Sequence, residues 1–384
     1  MRRMKEGHVD RRGFLQTAGL LVGALAFPAR AMAAQSVTAS RISGGLYLDA
    51  QGVIDGFDMP DSGRYVLGKR LLNAIAARQM DVISITVGSV GNGPDRFHQA
   101  VEDLARLDRM IADYPSLLTK IECFADMEAA RQQGKLGLIY NFQDTTALEA
   151  DAGKVATFAA LGIKVMQLTY NKRNLAGDGC LETANAGLSD FGREVISKME
   201  EAHVLLDLSH AGQRTIAEGI DASKRPPAIT HSGCRALVDL PRNTRDAEMR
   251  ALADKGGVFG IYLMPFLRPR GQPGAEDLLR HLDHAVTICG EDHVGIGTDN
   301  PLLGYDLNET TRRQHRESHE ARVKRGVAAP GEQPDVLLYV EGYNAPDRFD
   351  RIAADLRRRG WSSARIEKIM GGNFARLFGA VWQD

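Results

Sequence analysis

The sequence predicts an α/β fold, a single (β/α)8 TIM barrel, and three observations predict it. Eight short β-branched apolar runs alternate with longer segments of helical periodicity, the arithmetic of eight β-then-α units. The units are of near-equal length, which favours a closed barrel over a doubly wound open sheet. No G-x-G-x-x-G follows the first run, so a dinucleotide site is not supported. The runs are Gly52–Phe57, Asp81–Val87, Leu136–Gln143, Lys164–Tyr170, His203–Ser209, Ala228–His231, Gly257–Leu263 and His293–Asp299. Helical patterns between them include Phe191–Ala202, Asp246–Lys255 and Ala275–Cys289.

The chain has 384 residues, enough for one large core. Its formal net charge of −1 gives no global field to recruit nucleic acid or an anionic membrane. Residues 1–33 read as an address. Arg11-Arg12-Gly13-Phe14-Leu15 opens an uncharged run of 17 residues, too short to span a bilayer, and Ala31-Met32-Ala33 forms a cleavage pattern. The paired arginines resemble a twin-arginine leader, with Asp10 a small departure. The expectation is export to the periplasm or beyond, with residues 34–384 as one mature domain. No cysteine stands at the cleavage site, so no lipid anchor is expected. Cys123, Cys180, Cys234 and Cys289 are widely spaced and form no C-x-x-C. They read as buried small hydrophobes rather than a disulfide framework or thiolate zinc site.

One segment breaks the rhythm. Residues 301–342 are charged, and rich in Gly and Pro near Ala329–Pro334, and they follow the eighth run. They read either as a solvated insertion or as a lid over the C-terminal mouth. After two further helical patterns, Gly371-Gly372-Asn373-Phe374 reads as a turn followed by a new helix.

Barrel chemistry sits where strands end, because the βα loops converge there. Here the runs stop on Gln143, Tyr170, His210, His231 and Asp299. A lone histidine after a strand is more often structural. Two on successive strands, about 5 Å apart, can share one ion. Zinc takes neutral imidazoles with a carboxylate and keeps a position open for water. Asp299 is then a third ligand or the proton-transfer group. Arg242, in the loop after His231, suits bidentate capture of a carboxylate, or else forms a surface ion pair with Asp239 or Asp246.

Asp207-Leu208-Ser209-His210, Ile229-Thr230-His231-Ser232, Arg242-Asn243 with Asp246, and Val294-Gly295-Ile296-Gly297-Thr298-Asp299 resemble the membrane (renal-type) dipeptidase family, peptidase M19. Gly187-Leu188-Ser189-Asp190-Phe191-Gly192-Arg193-Glu194 and the closing Gly371-Gly372-Asn373-Phe374-Ala375-Arg376 match as well. The resemblance covers most of the mature chain. It implies a metal-dependent hydrolase barrel of the amidohydrolase type, with two zinc ions that serve hydrolysis of dipeptides, some β-lactams and related amides. It implies roles for His210 and His231 as metal ligands. Arg242 with Asn243 falls to the substrate and Asp299 to the chemistry, while Gln143 at the substrate and Tyr170 at the oxyanion are expected from the residues themselves. Family members are often dimers, so a homodimer is an open expectation.

The departures matter as much. The family's first strand carries Asp-Gly-His-x-Asp, and this chain has Asp55-Gly56-Phe57-Asp58-Met59. Gln143 replaces the bridging glutamate, and Tyr170 replaces a substrate-facing histidine. The first metal position has lost its ligands, while the second keeps two imidazoles. The expectation is a dipeptide- or lactam-cleaving hydrolase with one zinc rather than two. Two alternatives stay open, a metal-free enzyme tailoring a peptide-derived metabolite and a non-catalytic ligand-binding protein.

Overall fold

The computed structural model describes residues 45–58, 64–324 and 328–382. The leader at 1–33 and Met59 lie outside these residues. Eight parallel strands follow one another in chain order. They are β1 (Leu48–Gly52), β2 (Val82–Thr86), β3 (Leu136–Phe142), β4 (Ile163–Gln167), β5 (Leu205–Asp207), β6 (Ala228–Ser232), β7 (Val258–Ile261) and β8 (Val294–Ile296). A short ninth strand, Leu118–Lys120, pairs with the first half of β3. The seam between β1 and β8 closes through Asp299 N–H to Gln51 O (2.7 Å), Val53 N–H to Asn300 O (3.0 Å) and Leu302 N–H to Val53 O (2.8 Å). The predicted barrel is therefore the observed fold.

The first strand differs from its expectation. β1 ends at Gly52, and Phe57–Asp58 forms a separate two-residue antiparallel pair with Val66–Leu67. Its true apolar run is Leu48–Ala50, interrupted by the buried Asp49, which hid it from a hydropathy reading. Phe57 packs its ring edge-on against Tyr65, with centroids 4.4 Å apart.

The floor of the barrel is made by the other end of the chain. Inward side chains Leu48, Ala50, Val82, Ile139, Val165, Leu205, Ala228 and Val258 form one cluster with Phe374, Phe378 and Trp382. Phe374 and Phe378 belong to the last helix, Asn373–Val381, and Trp382 caps it. Phe374 enters because β7 and β8 carry glycine below it. A Cβ on Gly295 would stand 2.5 Å from its ring, and one on Gly260 would stand 1.9 Å from Thr230 O. Asn373 locks the helix by donating to Glu291 O (2.8 Å) and Val294 O (2.7 Å).

Residues 301–342 are not a plain solvated loop. Helix Glu309–Lys324 buries one residue, His315, and the returning chain buries Ala329, Val336, Leu337, Tyr339 and Val340. Gln272 clamps that return by donating to Leu337 O (3.0 Å) and accepting from Leu337 N–H (3.1 Å).

Asp49 is 2% exposed and accepts from Thr298 N–H (2.7 Å) and Thr298 Oγ1–H (2.6 Å). Burial pushes its pKa up from 3.8 to about 7, against the opposing pull of those bonds and Arg348. An acid whose pKa rises on folding stabilises the fold while protonated, and loses that contribution as pH climbs through the folded value. Asp55, raised by burial to about 6, acts in the same direction. We expect chemical stability to fall between pH 5 and pH 8, and the fall to shrink in Asp49→Asn. Urea midpoints at the two pH values check this, and an unchanged slope in the variant contradicts it.

Candidate metal and substrate site

Two buried carboxylates build the site from below, each gripping a threonine on the neighbouring strand. Asp207, ending β5, accepts from Ser209 N–H (2.9 Å), Ser209 Oγ–H (2.7 Å), Thr230 N–H (3.1 Å) and Thr230 Oγ1–H (2.6 Å). It thereby fixes the residues that precede both histidines. Asp49 and Thr298 do the same for Asp299 across the seam. Burial raises both carboxyl pKa values, and the hydrogen bonds oppose the rise. Asn171, His210 and Asp299 then turn into the left-handed region, at φ of 23°, 60° and 54°. Such strain costs about 1–3 kcal/mol per residue and is held only where surrounding contacts over-determine it.

His210 and His231 point their Nε2 atoms at each other, 3.0 Å apart. Their other nitrogens are tied down. His210 Nδ1–H donates to Asn171 Oδ1 (2.7 Å), and Cys180 Sγ–H reaches the same oxygen (3.4 Å). Thr230 already donates to Asp207, so its Oγ1 accepts from His231 Nδ1–H (2.9 Å). The hydrogen-bond network thus assigns both protons to Nδ1 and turns both Nε2 lone pairs inward. Two facing lone pairs repel unless a cation or a proton lies between them. Tetrahedral zinc holds two imidazole nitrogens about 3.3 Å apart, close to the spacing present. Histidines oriented through the other ring nitrogen are what a metal site requires. The pair therefore offers two inward nitrogen donors to a cation. No group of three or more His, Cys, Asp or Glu side chains suited to a metal occurs among the described residues, so the pair has no third donor of this kind grouped with it.

Tyr170 stacks on His210, with centroids 4.2 Å apart and planes at 25°. Arg242 is 5% exposed, donates through Nη2 to His231 O (2.9 Å) and lies 5.3 Å from the Tyr262 ring centroid. Its alternative as a surface ion pair is corrected, because Asp239 binds Arg235 (2.6 Å) and Asp246 binds His284 (2.8 Å). The structure thus gathers His210, His231, Tyr170 and Arg242. It sets Gln143 just past β3 and Asp299 just past β8, on the same mouth. Asn243 is tied into its own loop. Its amide donates to Val238 O (2.8 Å) and Phe266 O (3.0 Å), and its oxygen accepts from Tyr262 Oη–H (2.5 Å). It braces the loop that carries Arg242 and also lines the cavity beside it.

A cavity of about 450 Å³ opens beside His210 and Arg242. Its wall includes Cys180, Glu248 and Ala328, with Lys172, Glu182, Arg235 and Arg245 also lining it. The loop Lys172–Leu188 straps over His210, where Cys180 N–H donates to His210 O (2.7 Å). Gly179 allows this, since a Cβ there would meet Asn171 O at 2.4 Å. All four cysteines are free thiols. Asn171, Thr230, Asp207 and Tyr262 were not singled out from sequence as site residues. Asp207 and Thr230 stand in the quoted motifs, and that was the one signal they gave.

The sequence model of the membrane dipeptidase family (Peptidase family M19) matches residues 72–309. The chain belongs to the membrane dipeptidase family. As a membrane dipeptidase family member it is 25% identical to an uncharacterized Klebsiella pneumoniae protein from the pqqA 5′ region, over 74% of this chain and 96% of that one. It is 25% identical to dipeptidase tcpJ of Claviceps purpurea and 24% identical to dipeptidase 3 of Rattus norvegicus. Each match covers 75% of this chain, but 60% and 53% of the respective relative. The chain thus spans little more than half the length of these dipeptidases. Among solved structures, an amidohydrolase from Pseudomonas aeruginosa superposes with a TM-score of 0.76 at 28% identity, covering 89% of this chain and 98% of that one. A Rhodobacter sphaeroides metallopeptidase liganded with a phosphinate mimic of L-Ala-D-Ala shares the fold. Its TM-score is 0.68 at 17% identity, over 88% of this chain and 99% of that one. Membership of this family implies a metal, typically zinc.

Proposed function

We propose that the protein is an exported dipeptidase-like metallohydrolase that cleaves an amide in a dipeptide or related carboxylate-bearing amide or lactam, using one zinc rather than two. The carrying observation is the His210–His231 pair, with both Nδ1 atoms tied and both Nε2 atoms converging at 3.0 Å. Zinc, when bound there, supplies a Lewis acid beside the scissile carbonyl. Arg242 anchors a substrate carboxylate, its guanidinium aimed by the bond to His231 O. Tyr170 walls the site against His210 and offers a hydroxyl to the developing oxyanion. Asp299 moves the proton between water and leaving amine. Gln143 contributes a neutral amide donor to the substrate. The twin-arginine-type leader supports export to the periplasm.

The test is elemental mass spectrometry of purified protein beside the His210→Ala/His231→Ala double variant. About one zinc per chain, absent from the variant, is expected. Two equivalents would overturn the reading of Phe57 and Gln143. A second reading is favoured by the lack of a third His, Cys, Asp or Glu beside the pair among the described residues. In it the centre works without metal, on a peptide-derived metabolite or as a ligand-binding site. Hydrolysis that survives chelation, or ligand-induced stabilisation without turnover, would decide for it.

Asn171→Leu is expected to weaken zinc binding about 10- to 100-fold, because the leucine cannot hold His210 in its Nδ1–H tautomer. Competition with a chromogenic chelator reads this directly. Unchanged affinity would detach Asn171 from the centre.

A further inference from the structure

Glu248 is the charged residue that the site described above leaves unused. It lies on the buried face of helix Asp246–Asp254 beside Met249 and Leu252, and it is 8% exposed. Its Oε2 is buried with no hydrogen-bond partner among the described residues. A carboxylate in an apolar helix stripe is costly unless a donor or cation compensates it. Glu248 nevertheless lines the same cavity as Arg242.

The cations around that cavity do not answer it. Arg235 is held by Asp239 at 2.6 Å. Arg242 turns to His231 O. Lys172 and Arg245 are exposed, where solvent and salt screen them. The cavity therefore offers a buried guanidinium and, in the first turn of its helix, a buried carboxylate whose Oε2 has no partner among the described residues. That pairing suits a ligand with a carboxylate and a cationic N–H donor on one flexible chain.

We propose that Glu248 is the ammonium-binding group of this cavity, which takes a basic residue with its carboxylate at Arg242 and its side-chain ammonium at Glu248. The proposal rests on the reading of Arg242 as the carboxylate anchor. Its substrate class is a dipeptide whose acid-end residue is lysine-like.

Isothermal titration with L- and D-lysine, and with L- and D-norleucine, separates the two ideas. Norleucine keeps the carboxylate and chain length and lacks the ammonium. One lysine enantiomer is expected to bind about ten- to a hundredfold tighter than its norleucine counterpart, the size of a hydrogen bond to a charged group. Glu248→Gln should remove that advantage, and Arg242→Ala should weaken both probes. Equal binding of lysine and norleucine overturns the role of Glu248 alone. Binding of neither probe overturns the carboxylate reading with it. Glu248→Leu supplies an independent readout. The ligand-free variant should melt at or above the wild-type temperature, because an uncompensated buried charge is gone. A drop of more than about 3 °C would make Glu248 a structural contact and end the proposal.

Discussion

Alanine at both His210 and His231 is expected to lower amide hydrolysis at least about a thousandfold while leaving the fold intact. Each 1.36 kcal/mol of lost transition-state stabilisation is a tenfold loss of rate, and Lewis-acid stabilisation is worth several kcal/mol. The rings sit at the mouth, away from the aromatic floor, and each replaced ring contacts polar neighbours: Asn171, Thr230 and Tyr170. The measurement is kcat/KM on a dipeptide library, beside a thermal melt of the same samples. A loss of activity with a matching loss of fold would leave the assignment unsupported. Retained hydrolysis with a normal melt would remove the histidines from the chemistry.

The largest effect on stability is expected at the opposite end of the barrel. Phe374→Ala should cost about 3–5 kcal/mol, because a fully buried ring leaves a void that glycines 260 and 295 cannot fill. Against a total stability of about 5–15 kcal/mol that is a large share. Urea unfolding followed by circular dichroism reads it as a lower midpoint. A midpoint within 1 kcal/mol of wild type (roughly the cost of a conservative core swap) would show that Phe374 is not the floor.

Much of this architecture was legible before any coordinate. Seven of the predicted runs coincide with observed strands because apolar residues recur in them with little charge between, as buried parallel strands require. The first failed because Asp49 interrupts a short apolar stretch, and a lone carboxylate reads as a strand end when its threonine partner is distant in sequence. Both histidines were legible because they end successive strands. Their orienting groups were not. Asn171 reaches His210 only through the fold of a loop, and sequence spacing carries no record of that. The bracing of Asn243 was hidden for a related reason. Its position beside Arg242 was visible, and its three bonds to Val238, Phe266 and Tyr262 were not.

The floor and the seam share a property with consequences in time. Phe374 packs on Leu48, and Asp49 grips Thr298, so both contacts join segments far apart in sequence. Non-local contacts form slowly, because the entropy of closing long loops must be overcome before they stabilise anything. The strain at His210 and Asp299 can be carried only once those contacts exist. The mouth that carries His210 and Asp299 should therefore be among the last parts to acquire native geometry during refolding. Until then the exposed edges of β1 and β8 are the surfaces most open to wrong pairing, and a chaperone or a slow refolding step would act there first.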